Sequence, residues 1–351
     1  MKQKSTHLNS KMSISKLEKE LLKNFIFKSV DKHIFKINRR KYVIGMVASI
    51  TILIGFTNYN NIHSNESIND FVKSTEKIDY DNFDKVLLIL GEGENLKIHE
   101  ETTTINYSSS GKKVTIGDEK EVIQQVNENN KTVYNTILVP FGKRSQIHLS
   151  DGSKVWLNSG SKLVYPAVFE NTKREVYLEG EAIFDVKHNK QKPFFVISNN
   201  QEIEVLGTVF GVTNYLNENS VNTVLKSGSV QISYKNNSQL VNTDKLKISP
   251  GTLAQYNRED KSIVSSKVDV SNYFSWRDGI LIFKNNSLEY IMNRLSRFYK
   301  VNIIIDNENL MKETYSGYLD LNDNLNTVIK NIQKSTSMKY ILNKSEIIIS
   351  N

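Results

Sequence analysis

Ile147-His148-Leu149-Ser150-Asp151-Gly152-Ser153-Lys154-Val155-Trp156-Leu157 alternates apolar and polar side chains, turns on an acidic-glycine pair and alternates again. A period of two is that of a half-buried strand, and an Asp-Gly pair between two such runs predicts a hairpin. About sixty residues earlier the pattern occurs once before, as Val86-Leu87-Leu88-Ile89-Leu90 through Gly91-Glu92-Gly93 into Asn95-Leu96-Lys97-Ile98. The repeat is too degenerate for a solenoid array, but it suggests successive units of one β framework.

Further strands are predicted over residues 175–178, 182–186, 194–197, 203–206, 210–215, 222–225, 230–234 and 253–257. Gly180, Gly207, Gly228 and Pro250-Gly251 punctuate them as turns. Many short strands at this spacing predict an all-β sandwich or a short β-solenoid, and periodicity does not separate the two.

Beyond residue 270 the period changes. Gly279-Ile280-Leu281-Ile282-Phe283 reads as a strand, and Ser287 can cap a helix carrying Leu288, Ile291, Met292, Leu295, Phe298 and Tyr299 on one face. Strands follow at 301–305 and 314–319, a helix with Leu325, Val328, Ile329 and Ile332, and closing strands at 339–342 and 346–349. The order βα-ββα-ββ predicts a small α+β domain with both helices on one sheet face.

At the other end, Tyr42 to Phe56 reads YVIGMVASITILIGF without a charge. Extended to Tyr59 it would form roughly 27 Å of helix, enough to cross a hydrocarbon core. Residues 1–41 carry twelve Lys or Arg against Glu18, Glu20 and Asp31, whereas residues 58–100 hold nine acids against four lysines. That asymmetry predicts a single-pass inner-membrane protein with its N-terminus in the cytoplasm and its bulk in the periplasm. The expected organisation is a head at 1–41, a span at 42–59, a linker at 60–84, a β-rich domain at 85–270 and an α+β domain at 271–351.

The net charge of +8 is a property of the head, since the remaining residues sum to about −1 and leave no basic stripe for a direct nucleic-acid partner. Within the head, Ser15-Lys16-Leu17-Glu18 has the spacing of a capping box. Leu17, Leu21, Leu22, Phe25, Ile26 and Val30 then form one apolar helix face, suited to the anionic inner leaflet or to a cytoplasmic protein.

Motifs for catalysis are absent from the sequence. The six histidines are scattered, there is no cysteine, and neither a nucleophile elbow, a zinc-protease helix nor a phosphate loop occurs. No enzyme, metal or cofactor is expected. Glu179, Glu181 and Asp185 form the densest acidic cluster of the body and read as solvated acids around a turn at Gly180, while Trp156 and Trp276 read as core residues.

The chain nevertheless resembles a known family. Val139-Pro140-Phe141-Gly142, LSDGSKVWLNSGSKLVYP (149–166), KREVYLEGEAIFDV (173–186), EVLGTVFGV (204–212), LKSGSVQI (225–232), SPGTLAQY (249–256), WRDGILIF (276–283) and LEYIMNRLSRFYKV (288–301) are similar, in order and spacing, to FecR-type transmembrane anti-sigma regulators of the Bacteroidetes form. The resemblance spans about residues 85 to 351. It implies that a TonB-dependent outer-membrane receptor contacts the C-terminal part through its periplasmic signalling domain. The head, on Leu17, Leu21, Leu22, Phe25 and Ile26, would then control an extracytoplasmic-function sigma factor. Family members usually carry a longer cytoplasmic region than the 41 residues found here. Asp151, Gly152, Gly180 and Gly207 are expected to serve as turns, and Trp276 and Gly279 as anchors of the C-terminal module. The competing expectation is a membrane-tethered periplasmic binding or structural protein, for example one associated with glycans.

Overall fold

The computed structural model describes residues 16, 18–30, 49–52, 67–75, 84–91, 93–98, 102–118, 120–126, 131–198, 201–236, 243–343 and 346–350. The chain divides into two compact units, residues 1–64 and 65–351. In the first, residues 18–30 are helical, with Leu21, Leu22, Phe25 and Ile26 exposed, and residues 49–52 are helical. Leu17 and most of the apolar run 42–59 lie outside the described residues, among which no helix is long and apolar enough to cross a membrane.

The second unit is built mainly of strands that alternate between two layers. β1 (Val86–Ile89) and β2 (Asn95–Ile98) form the first predicted hairpin, in the first layer. β3 (Thr102–Tyr107), β4 (Lys113–Ile116) and β5 (Lys120–Ile123) lie in the second. β6 (Tyr134–Val139) returns to the first, β7 (Arg144–His148) and β8 (Lys154–Leu157) form the second predicted hairpin in the second, and β9 (Ser161–Pro166) returns again. After β10 (Arg174–Asp185), β11 (Phe194–Ile197) and β12 (Gln201–Val205) belong to the first layer, and β13 (Val209–Asn214) and β14 (Ser220–Ser227) to the second. β15 (Val230–Lys235) and β16 (Thr243–Ile248) extend the first layer, β17 (Thr252–Asn257) and β18 (Ser262–Lys267) the second. Inner-face residues of both layers, among them Leu88, Ile137, Leu163 and Val176 from the first and Ile147, Val155, Phe210 and Val212 from the second, share one core. The body is therefore a sandwich, with its strands laid down along the stack nearly in chain order.

β10 belongs to both layers. Tyr177–Glu179 pair with β9, and Gly180–Asp185 pair with β13, so the strand leaves one sheet and enters the other at Gly180. The glycine expected to be a turn is thus a crossing point inside a twelve-residue strand. Its φ of +98° disfavours any L side chain, and a Cβ there would stand 2.5 Å from Ser161 Oγ. The Asp151-Gly152 turn does join β7 to β8, with Gly152 at φ +85°. Asp151 has a second partner as well, since the deeply buried Arg174 donates from Nη1 to its Oδ2 at 2.6 Å.

Ahead of β1, within the stretch expected to be a linker, the Ile68–Ser74 helix is capped by Ser67 and packs Ile68, Phe71 and Val72 against Tyr134, Val164, Tyr177 and Ile197. After β18, the short Ser271–Phe274 helix and the Ser275–Asp278 3-10 turn lay Phe274 and Trp276 on Ile183 and Val224, on the outer face of the second layer. Gly279 ends that turn in the left-handed conformation. Trp156, expected in the core, instead projects from the outer face of β8, half-buried, while its neighbours Val155 and Leu157 point inward.

The C-terminal module follows the predicted element order but not the predicted sheet. β19 (Ile280–Ser287) pairs with β21 (Thr314–Asp320), and separately β20 (Asn302–Ile305) pairs in parallel with β23 (Glu346–Ser350), which pairs with β22 (Lys339–Asn343). A short Glu308–Lys312 helix capped by Asn307 carries the chain from the larger sheet to the smaller one. The Leu288–Tyr299 and Leu325–Gln333 helices bury their apolar faces in one core with residues of both sheets. Runs of apolar residues specify strands, but not which strand each will pair with, and the short polar helix is what separates the two sheets.

Replacing Gly180 by Ala should lower stability by about 1–3 kcal/mol from backbone strain alone, with the contact to Ser161 adding to it. A urea midpoint equal to that of the wild type would refute the crossing geometry.

Candidate functional site

Glu181 is the first residue of β10 past the crossing, and its backbone is clamped to β9. Ser161 Oγ accepts from the Glu181 N–H at 2.9 Å and donates to the Glu181 carbonyl at 3.1 Å. The side chain expected to be solvated is only 3% exposed. Its carboxylate accepts from Asn158 Nδ2 at 2.7 Å and Thr213 Oγ1 at 3.3 Å. A two-pronged bond from Arg294 of the C-terminal module completes its shell, Nη1 to Oε2 at 3.0 Å and Nη2 to Oε1 at 2.9 Å. Such a fork fixes direction as well as distance. Burial alone would drive Glu181 into the unfavourable role of an unpaired charge, so the sandwich and the module satisfy one another.

Arg294 lies on the Leu288–Tyr299 helix, and its Nε donates to Tyr290 Oη at 2.8 Å. Burial opposes charge on this guanidinium. Glu181, with Tyr290 and Tyr215, outweighs that, and the pKa is held well above its ordinary value. Burial and then the Glu181 charge push the Tyr215 phenol up, so it stays a donor, to the Ser159 carbonyl at 2.8 Å.

One turn along the same helix, Arg297 Nη1 donates to Glu218 Oε1 at 2.6 Å and Nη2 to Asn217 Oδ1 at 3.2 Å. Its guanidinium carbon stands 3.7 Å from the Tyr215 ring centroid, a cation–π contact. Two further ties come from the loop and strand after β6: the Gly142 N–H donates to the Arg297 carbonyl at 2.8 Å, and Arg144 Nη1 to the Trp276 carbonyl at 2.6 Å. The junction is therefore held by two arginines of one helix, by Arg144 of β7 and by a backbone hydrogen bond from Gly142.

The structure brings Trp276 beside Glu181, Arg294 and Arg297, whereas Gly279 ends the turn after it and lies against Asn322. Asp151, Gly152 and Gly207 serve bends elsewhere, Gly207 lying against His188 where a Cβ would stand 2.5 Å from its Cα. The helix face at Leu21, Leu22, Phe25 and Ile26 is a separate feature of the first unit. Sequence patterns mark Glu181 only as a solvated acid beside a turn, and they do not mark Arg294, Arg297 or Arg174. Neither Arg294 nor Arg297 has an acid three or four residues away on its helix, which leaves each open to an acceptor from another element. Among the described residues, no group of three His, Cys, Asp or Glu is placed to hold a metal ion.

Also in the module, Ile304, Ile348 and Ile341 stand in register across β20, β23 and β22, with Ile304 and Ile341 exposed. Together they make a short apolar row on the solvent side of the larger sheet.

Glu181→Gln and Arg294→Gln should each cost about 3–5 kcal/mol, because either change strands a buried partner. The double variant should cost clearly less than the sum of the two. Urea denaturation of the four proteins measures this, and strict additivity would show that the pair does not couple the two parts.

The model of the family described as FecR protein matches residues 135–231, and the model described as FecR, C-terminal matches residues 280–349. Glu181 falls in the first match and Arg294 in the second. A crystal structure of a candidate anti-sigma factor from Parabacteroides distasonis ATCC 8503 is similar at 27% identity and a TM-score of 0.56, over 61% of this chain and 97% of that one. A second crystal structure, of a candidate anti-sigma factor from the same organism, gives 27% identity and a TM-score of 0.57, over 62% of this chain and 99% of that one. No curated protein matches the chain significantly. The chain thus carries both domains of the FecR family, in order, within its larger unit.

Proposed function

We propose that this chain is an anti-sigma regulator of the inner membrane, relaying a signal from a TonB-dependent outer-membrane receptor to an extracytoplasmic-function sigma factor. The observation that carries the reading is the succession, on one chain, of a basic head with an apolar helix face, an uncharged run and the two FecR domains. The likeness to candidate anti-sigma factors supports the sigma factor as a partner.

In this reading the head lies in the cytoplasm and the body in the periplasm, as the Lys/Arg asymmetry around residues 42–59 favours. The sigma factor covers Leu21, Leu22, Phe25 and Ile26, whose exposure leaves an apolar face available. The receptor's periplasmic extension meets the C-terminal module, where the row of Ile304, Ile348 and Ile341 offers an apolar contact. The buried Glu181–Arg294 pair then makes the module and the sandwich move together, so that contact at the module is felt at β10.

A reporter active only in the periplasm, fused after residue 100, should be active. Silence there, with activity of a cytoplasmic reporter at the same site, would reverse the orientation. Leu21→Asp combined with Phe25→Asp puts two charges where an apolar groove would close, at a cost of several kcal/mol, on the order of that for unpaired buried charge. Transcription from the sigma factor's promoters should change while the body stays folded and membrane-bound. Unchanged transcription would reduce the head to a leaflet anchor.

A further inference from the structure

A cleft of about 400 Å³ opens at the junction, between the outer face of β7 and β8 and the turn that carries Trp276. Arg144, Gln146, Trp156, Trp276, Arg277 and Asp278 line it. Its volume is that of a site for a small organic molecule.

Three features give the cleft a chemical preference. First, it holds two guanidiniums and one carboxylate. Arg277 Nε is 3.3 Å from Asp278 Oδ1, whereas Arg144 bonds to a carbonyl, that of Trp276. Burial lowers the pKa of Arg144, and Asp278 only partly offsets it. A half-buried guanidinium has donors to spare beyond one carbonyl, and a further anion would satisfy it. The balance of two cations against one anion suits a ligand with a single negative charge.

Second, the cleft has a flat apolar surface. Trp156 stands half-exposed on the outer face of β8, with the Arg277 guanidinium 5.1 Å from its ring centroid. An exposed indole stacked with arginine accepts a planar group. Third, the indole Nε1 of Trp276 is buried and finds no acceptor among the described residues. Native structures rarely leave such a donor without a partner, so an unmet polar group lies just beneath the Trp276 wall of the cleft.

We propose that this cleft binds a small aromatic carboxylate, its carboxylate held by Arg144 and Arg277 and its ring resting on Trp156. The inference concerns the junction itself and does not depend on the regulatory reading above. A molecule seated there touches β7 and β8 on one side and the Trp276–Asp278 turn on the other. It would therefore tighten the docking of the module.

Trp156 and Trp276 are the chain's two tryptophans, and both line the cleft, so the intrinsic fluorescence of the purified full-length protein reports on it directly. Benzoate is the probe, its neutral isostere benzamide tests the need for charge, and sulfate tests the need for a ring. Benzoate should change the emission saturably, and more tightly than either control by about tenfold or more, as charge-assisted bonds and stacking together would give. Arg277→Gln, at a partly exposed position where folding is not at stake, should weaken benzoate by about tenfold, and Arg144→Gln by at least as much. Absence of a saturable response overturns the site. Equal responses to benzoate and benzamide, or to benzoate and sulfate, overturn the proposed ligand class. A benzoate response untouched by Arg277→Gln in a folded protein places the binding elsewhere, and overturns the proposal equally.

Discussion

The docking of the C-terminal module on the sandwich turns on one buried charge pair. Glu181 sits where β10 passes from one sheet to the other, with its carboxylate withdrawn from water and its shell incomplete without Arg294. The desolvation penalty of such a pair is large, and replacing it by apolar residues would often be neutral or favourable for stability. What the pair does supply is direction. A two-pronged bond at 2.9 and 3.0 Å admits one docking of the helix, and the second arginine, pinned by Glu218 and the Tyr215 ring, fixes its rotation. A purely apolar contact between the two parts could slide, whereas this one has a single register.

The crossing at Gly180 makes that register possible. An ordinary strand confined to one sheet would present Glu181 to the core or to solvent. By changing sheets, β10 brings the residue to the end of β9, where Ser161 holds its backbone and Asn158 its side chain. The positive φ that only glycine tolerates well is therefore tied to the position of a charge one residue away.

Local patterns were legible in the sequence, and long-range relationships were not. The hairpins at β1–β2 and β7–β8, the cap at Ser287 and the apolar faces of the two module helices all follow from spacing, because each involves neighbours in the chain. β16 and β18 carry no such signal, being edge strands of mostly exposed, polar residues without the alternation that burial on one face imposes. β3 to β6 and β9 were likewise not legible, β6 and β9 because they are buried along their whole length and do not alternate. Gly180 read as a turn because a glycine between two apolar runs is one in most hairpins, and the acids beside it then read as solvated. The true environment of Glu181 depends on Arg294, more than a hundred residues later. The choice between sandwich and solenoid stayed open for a related reason: the strands alternate between layers in small groups, as in a solenoid, yet the layers close on one core.

That alternation bears on how the chain can fold as it emerges. Beyond the first hairpins, β2-β1 at the start of one layer and β5-β4-β3 at the start of the other, strand order follows chain order: β6, β9, β10, β11, β12, β15 and β16 in one, and β7, β8, β10, β13, β14, β17 and β18 in the other. Each new group finds an edge already formed by its predecessors, so few loops of great length must close at once, and the entropic barrier that slows many β proteins is divided into small steps. Growth by accretion needs a stop, however, since every finished edge is a template for a foreign strand. Lys245 and Lys247 on β16 and Lys267 on β18 stand at the two last edges, where their charge discourages further addition.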